Sequence, residues 1–239
     1  MDIGFKLQQS VEKSLGHYQS WIYDCLSPYL GERILDAGCA IGNITQHFLD
    51  KEFILGLDIS KDAVSEISKR FEGKTNFQAH TQDLSRIKPV KFRKFHFDTI
   101  TCLNVLEHIK DDKQLISTFN QILSNNGVLI LLVPAFDWLF GEMDRIDNHH
   151  RRYTKKMLKK LFQNSGFTLK KQLYFNFFGM FGWFLNGKVL KKGQGSQKNF
   201  KIFNSLVPVF RKAESFFPPP IGLSILSIYI KTEEINQKT

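Results

Sequence analysis

The chain has 239 residues, 42% of them hydrophobic and 23% charged, which is length enough for one full core. Its three cysteines, Cys25, Cys39 and Cys102, form no C-x-x-C pair, which excludes a disulfide framework or a cysteine zinc site and points to a reducing, cytoplasmic setting. The net charge of +10 is uneven: 17 of the 33 Lys+Arg and 3 of the 23 Asp+Glu lie in residues 151–239, which carry +14 against −4 for residues 1–150.

The opening Met1-Asp2-Ile3-Gly4 lacks a basic-then-apolar leader, so no secretory signal is expected, and no apolar run reaches the roughly 18–20 residues of a membrane span. Residues 8–29 predict a pair of short helices with Trp21, Ile22, Cys25 and Leu26 on an apolar face. A first strand is expected at 33–37, a helix at 42–50 and a second strand at 53–58. Ser60 is a helix cap ahead of the inward stripe Ala63, Val64, Ile67 and Phe71. Further strands are read at 76–80, 97–103 and 128–133, with a helix at 111–124 stopped by Asn125-Asn126-Gly127. Thr154 caps a helix at 155–164, and the last strands are 169–175 and 225–231.

Strands alternating with helices predict an α/β fold with a doubly wound, mostly parallel sheet in a single domain. Residues 1–30 are its N-terminal helices. The last two strands are separated by residues 176–222, too many for a hairpin loop, so this insertion has structure of its own.

The richest segment is Arg33-Ile34-Leu35-Asp36-Ala37-Gly38-Cys39-Ala40-Ile41-Gly42-Asn43, followed by Phe53-Ile54-Leu55-Gly56-Leu57-Asp58-Ile59. Two apolar strands each end in an acid. In a doubly wound sheet this sets a nucleoside over the strand ends, with Asp58 facing its ribose. A pyrophosphate site needs G-x-G-x-x-G at the helix start; here the loop reads D-x-G-x-x-x-G, and Asp36 repels a phosphate and suits a cationic ligand.

The segment resembles motif I of the class I S-adenosylmethionine-dependent methyltransferases, with Ala40 where many members carry glycine. The resemblance implies a seven-stranded Rossmann-like sheet whose last strand is antiparallel. It also implies S-adenosyl-L-methionine as cofactor, held by Asp36, Gly38, Cys39, Gly42, Asp58, Ile59, Asp83, Leu84 and Asn104. Asp83 follows the third strand, where that family meets the adenine amino group.

After the fourth strand, Val105-Leu106-Glu107-His108-Ile109 resembles the small-molecule methyltransferases that include the quinone O-methyltransferases. It is unlike the N/D-P-P-Y/F string of enzymes that methylate nucleobases, which argues against nucleic acid as partner. In the quinone enzymes a Glu-x-x-Glu-His pattern can hold a divalent ion; Asn104 replaces the first Glu here, and no metal is assigned. Glu107 and His108 orient substrate, take its proton, or only shape the pocket. His108, His149 and His150 are the candidate bases.

The loop after the fifth strand, from Pro134 through Trp138 to His150-Arg151-Arg152-Tyr153-Thr154, crosses the strand ends where such sheets bind substrate. Trp138, Arg151, Arg152 and Tyr153 are candidate acceptor-binding residues, the arginines for an anionic group. The alternative is an arginine paired with Asp144 or Asp147. Together with the insertion, this loop resembles a bacterial and archaeal branch of the type 11/12 methyltransferases. That branch is often associated with glycosyltransferases acting on polyprenyl-linked sugars, which implies a small or lipid-linked acceptor. Residues 173–190 are aromatic-rich and end at Lys188, Lys191 and Lys192; Ile202, Leu206, Val209 and Phe210 stand among Lys201, Arg211 and Lys212. These stretches either rest on an anionic membrane surface, cover the pocket or build a subunit interface. The competing functions are an NAD(P)-dependent oxidoreductase, opposed by the missing pyrophosphate glycines, and a non-catalytic binding module.

Overall fold

A computed structural model describes residues 14–190 and 197–232. The expected start of the N-terminal helices, Lys191 and Lys192 lie outside the described residues. In chain order the elements are α1 (Gly16–Leu26), β1 (Arg33–Ala37), β2 (Phe53–Asp58), α2 (Lys61–Arg70), β3 (Phe77–Thr81), β4 (Thr99–Leu103), α3 (Asp112–Ile122), β5 (Val128–Pro134), α4 (Glu142–Ile146), α5 (Lys155–Leu161), β6 (Phe167–Phe175), α6 (Phe177–Phe184), α7 (Gln197–Phe216) and β7 (Ser224–Lys231).

The seven strands form one sheet in the order β3-β2-β1-β4-β5-β7-β6. The first five pair in parallel and β7 runs antiparallel to both neighbours, as the sequence reading expects. Strands covered on both faces are apolar in every position rather than alternating. In β1, Ile34 feeds the layer beneath α1, α2 and α7, and Leu35 feeds the layer beneath α3 and α5. The caps fall at Ser60 and Thr154, whose hydroxyls accept from Ala63 N and Met157 N.

Two expected helices are shortened. Residues 42–50 hold only a 3₁₀ turn at Thr45–Phe48. The chain leaves β1 through positive φ at Gly38, Ala40 and Gly42, and Arg70 Nη1 takes the Ile41 carbonyl at 3.0 Å and Asn43 Oδ1 at 2.8 Å. Those groups are then withdrawn from a helical start. The helix expected to reach 164 stops at Leu161, because Asn164 and Gly166 adopt left-handed φ and turn the chain into β6.

The insertion is helical. Asn176, at φ 62°, caps α6 by accepting from Gly179 N at 2.9 Å, and α6 runs on as a π-helical turn over Leu185–Val189. One face of α7 packs on α1, with Tyr18 and Phe203 rings 5.8 Å apart and Val207 buried. Near its end Glu214 accepts from Asn176 N at 3.2 Å and Phe177 N at 2.8 Å, closing the base of the insertion.

Candidate active site

A cavity of about 720 Å³ opens at the carboxyl ends of β1 to β4. Its floor is Asp36, buried at 3% exposure, whose Oδ2 accepts from Thr45 Oγ1 at 2.6 Å and Oδ1 from Thr101 Oγ1 at 2.8 Å. Burial raises the Asp36 pKa, the two hydroxyls oppose that rise, and the nearby Asp58 charge adds to it. The turn after β1 needs Gly38, at φ 89°, because a Cβ there would overlap Val105 Cγ2. Ala40 then sits at φ 47° and gives its N–H to Asp58 Oδ2 at 2.9 Å, while Ser60 N donates to Oδ1 at 2.8 Å.

Asp83 and Leu84 close the β3 side; Ser85 hydrogen bonds hold the Asp83 carboxyl below the usual carboxylate range. Ile59, 70% exposed, stands at the mouth. Asn104, at φ 53°, and Cys39 complete the inner wall, with the buried Cys39 thiol pushed up in pKa by desolvation. Gly42 lies behind the wall, packed toward Ile67 and Phe71. The opposite wall is Leu15, Tyr18, Gln19 and Ile22, a stripe at helical spacing on and just ahead of α1. The sequence reading found that helix but not its role as a wall; the 15-18-19-22 spacing was the available signal.

His108 and His150 form the rim beyond β4. Burial lowers the His108 pKa to about 4, so its ring is neutral at neutral pH. Glu107 is fully buried and stands behind the cavity rather than on its surface. Neither of its carboxylate oxygens finds a hydrogen-bond partner among the described residues, and burial raises its pKa to about 7. The two loops are tied together by His150 N donating to the Glu107 carbonyl at 2.8 Å.

Residues 18–172 match the family model described as a methyltransferase domain. The chain belongs to the methyltransferase domain family. It is 33% identical over 137 residues to an uncharacterized protein of Methanocaldococcus jannaschii, covering 57% of this chain and 55% of that one. It is 27% identical over 106 residues to a ubiquinone biosynthesis O-methyltransferase of Haemophilus ducreyi, covering 42% and 44%. The chain spans about half the length of the curated relatives it matches. An S-adenosylmethionine-dependent methyltransferase structure from Mesorhizobium loti shares the fold at TM-score 0.59 and 16% identity, covering 88% of this chain and 97% of that one.

Family and fold imply S-adenosyl-L-methionine as cofactor, and this methyltransferase domain fits it. The cavity volume is in the roughly 300–1,000 Å³ range of small-molecule sites. Its floor is a buried carboxylate suited to a cation, and the absent side chain at Gly38 lets Val105 pack against the turn that shapes it.

The acceptor-binding expectations are redistributed. Arg152, 1% exposed, does not reach the cavity; Nε donates to Asp144 Oδ1 at 2.8 Å, Nη1 to the Ala135 carbonyl at 3.2 Å, and the Trp183 ring lies 4.8 Å from its guanidinium carbon. Tyr153 is equally buried, its hydroxyl donating to the Leu106 carbonyl at 3.2 Å and to Asp112 Oδ2 at 3.0 Å. Both are buried, and neither lines the cavity. Arg151 pairs with Asp112 at 2.7 Å and donates to the Lys110 carbonyl, so of the expected partners only Asp144 is used, by Arg152. Trp138 is 51% exposed and lies tilted toward Phe136 and edge-on to Phe184, outside the cavity lining.

Proposed function

We propose that this protein transfers the methyl group of S-adenosyl-L-methionine to a small or lipid-linked acceptor presented at an anionic bilayer surface. The observation that carries the reading is one cavity bounded by Asp36, Asp58 and Asp83, at or just past the ends of three adjacent parallel strands. The cofactor, when bound, supplies an electrophilic methyl on a positively charged sulfur.

This chain's residues supply alignment and exclusion of water. Asp36, clamped by Thr45 and Thr101, offers a fixed negative charge; Asp58 is anchored by two backbone N–H groups and faces the cavity as the ribose partner. Asp83 and Leu84 stand beside it for the adenine, with Ile59 and the α1 stripe as apolar covers. His108 and His150 are on the rim where an acceptor enters, with His150 as the base for an acceptor that carries a proton. Relatives named as O-methyltransferases make an acceptor oxygen the first to test.

Support for a lipid-linked acceptor comes from the insertion. Along α7, Ile202, Leu206, Val209 and Phe216 recur at spacings of four, three and seven residues, each 44–70% exposed. Lys198, Lys201 and Lys212 flank that stripe, and Phe181, Phe184 and Leu185 add exposed apolar surface on and after α6. Aliphatic and aromatic side chains beside lysines are the composition of a helix lying in an anionic headgroup layer. No described helix is long and apolar enough to cross a membrane.

The test is incubation with labelled S-adenosyl-L-methionine and fractionated lipid, glycan and small-molecule extracts, followed by identification of the labelled product. Cofactor binding by calorimetry that Asp58→Ala weakens, together with a labelled lipid product, supports the reading. Binding of NAD(P) instead, or no cofactor binding at high micromolar concentration, removes it.

A further inference from the structure

We propose that Glu107, His108 and His149 form a binding site for one divalent first-row transition-metal ion, of the zinc, cobalt, manganese or iron class. Each residue offers a ligand atom, and the three atoms lie within 4.8 Å of one another. A four-coordinate ion with bonds of roughly 2.0–2.2 Å holds its ligand atoms about 3.3–3.6 Å apart, so side-chain adjustment of up to about an ångström closes the set.

Three observations converge on this group. Glu107 is fully buried, and both its oxygens lack a hydrogen-bond partner among the described residues. A carboxylate taken out of water without a partner is costly, and a bound cation offsets that cost. One imidazole is oriented from behind. His149 Nδ1 lies 2.8 Å from Asp144 Oδ1, which leaves its Nε2 edge free of that contact. Asp144 is in turn fixed by Arg152 Nε and by Gly141 N, both at 2.8 Å. Outer-shell carboxylates and carbonyls behind histidines are the usual support of metal-ligating imidazoles.

The donor set also selects the ion. Two imidazoles and one carboxylate suit borderline transition metals, whereas magnesium and calcium take oxygen ligands. The sequence reading assigned no metal because Asn104 stands where a second glutamate would be. The third ligand comes instead from His149, in the loop after β5, which the Asp144–Arg152 pair delivers. His108 also lines the cofactor cavity, so an ion held here stands at that cavity's wall. The inference is independent of methyl transfer, since it concerns equilibrium metal binding.

Tag-free protein is stripped with chelator and titrated with Co²⁺, following visible absorption, then challenged with Zn²⁺ and separately with millimolar Mg²⁺. The expected result is a cobalt band saturating at one equivalent, displaced by Zn²⁺ and not by Mg²⁺. His149→Gln is expected to weaken cobalt binding at least about tenfold, with S-adenosyl-L-methionine binding retained as evidence of folding. Should that variant fail to fold, His108→Gln with an unchanged melting temperature carries the same expectation. Absence of a saturable band, displacement by Mg²⁺, or unchanged cobalt binding in the folded variant would each overturn the proposal.

Discussion

Arg152 and Asp144 form an ion pair closed to water, Nε to Oδ1 at 2.8 Å, with the two side chains 1% and 0% exposed. The same Oδ1 is shared with His149 Nδ1, and the Trp183 ring faces the guanidinium. Removing either partner strands a charge in the interior, which costs about 3–5 kcal/mol. Arg152→Ala is therefore expected to unfold at far lower denaturant than the parent. Arg152→Lys recovers only part of that loss, because an ammonium cannot reproduce the planar fork. Arg151→Ala, whose pair with Asp112 is partly solvated, is expected to cost about 1 kcal/mol or less. Equal losses for the two arginines in chemical denaturation would contradict this assignment.

The turn after β1 makes opposite forecasts two residues apart. Gly38→Ala places a methyl group into Val105 at a left-handed φ and is expected to weaken cofactor binding by more than tenfold as the turn shifts. Ala40 already endures φ 47°, so Ala40→Gly is expected to raise stability by up to about 1 kcal/mol, and a fall of that size in thermal unfolding would refute the strain reading.

Cofactor affinity is expected to depend on pH through Asp36. Burial lifts its pKa in the free protein, whereas a cationic ligand favours the ionised carboxylate and lowers it in the complex. Binding then releases protons between those two values. Affinity rises with pH through that window, levels off above the raised free value, and weakens toward the usual carboxylate range. Calorimetry across pH should show the slope in the parent and a flat, weaker profile in Asp36→Asn.

The exposed stripe of α7 separates surface attachment from folding. Leu206→Glu combined with Val209→Glu is expected to lower binding to phosphatidylglycerol vesicles at least about tenfold, while unfolding changes by no more than about 0.5 kcal/mol per site. Val207→Asp, on the buried face one position away, should destabilise the fold instead. Undiminished vesicle binding by the double variant would leave the stripe without this role.

Much of the fold was legible because its signals are local. Strands buried on both faces read as unbroken apolar runs, and Ser60 and Thr154 announce helix starts within three residues of the N–H groups that they accept. The acids at or just past the ends of β1, β2 and β3 are legible for the same reason, since each stands where its own run closes. The pairing of Arg152 with Asp144, eight residues back on α4, stood among the alternatives, but its burial was not legible, because no periodicity marks an arginine as interior. Thr45 and Thr101, which clamp Asp36 from two different elements, leave no pattern at all. The helix expected at 42–50 gives way to a turn whose Ile41 carbonyl is taken by Arg70, a contact from the next helix that no local pattern announces.

Glu214 binds the backbone at the root of the insertion, where α6 begins, from the far end of α7. That clamp joins the two ends of the insertion beside β6, and α7 is pinned along its length as well, by Val207 and Phe203 against α1. Substitutions confined to the insertion's outward residues leave those anchors in place, whereas exchanging the whole segment removes Met180, Phe203 and Val207 from beneath the sheet's helical cover.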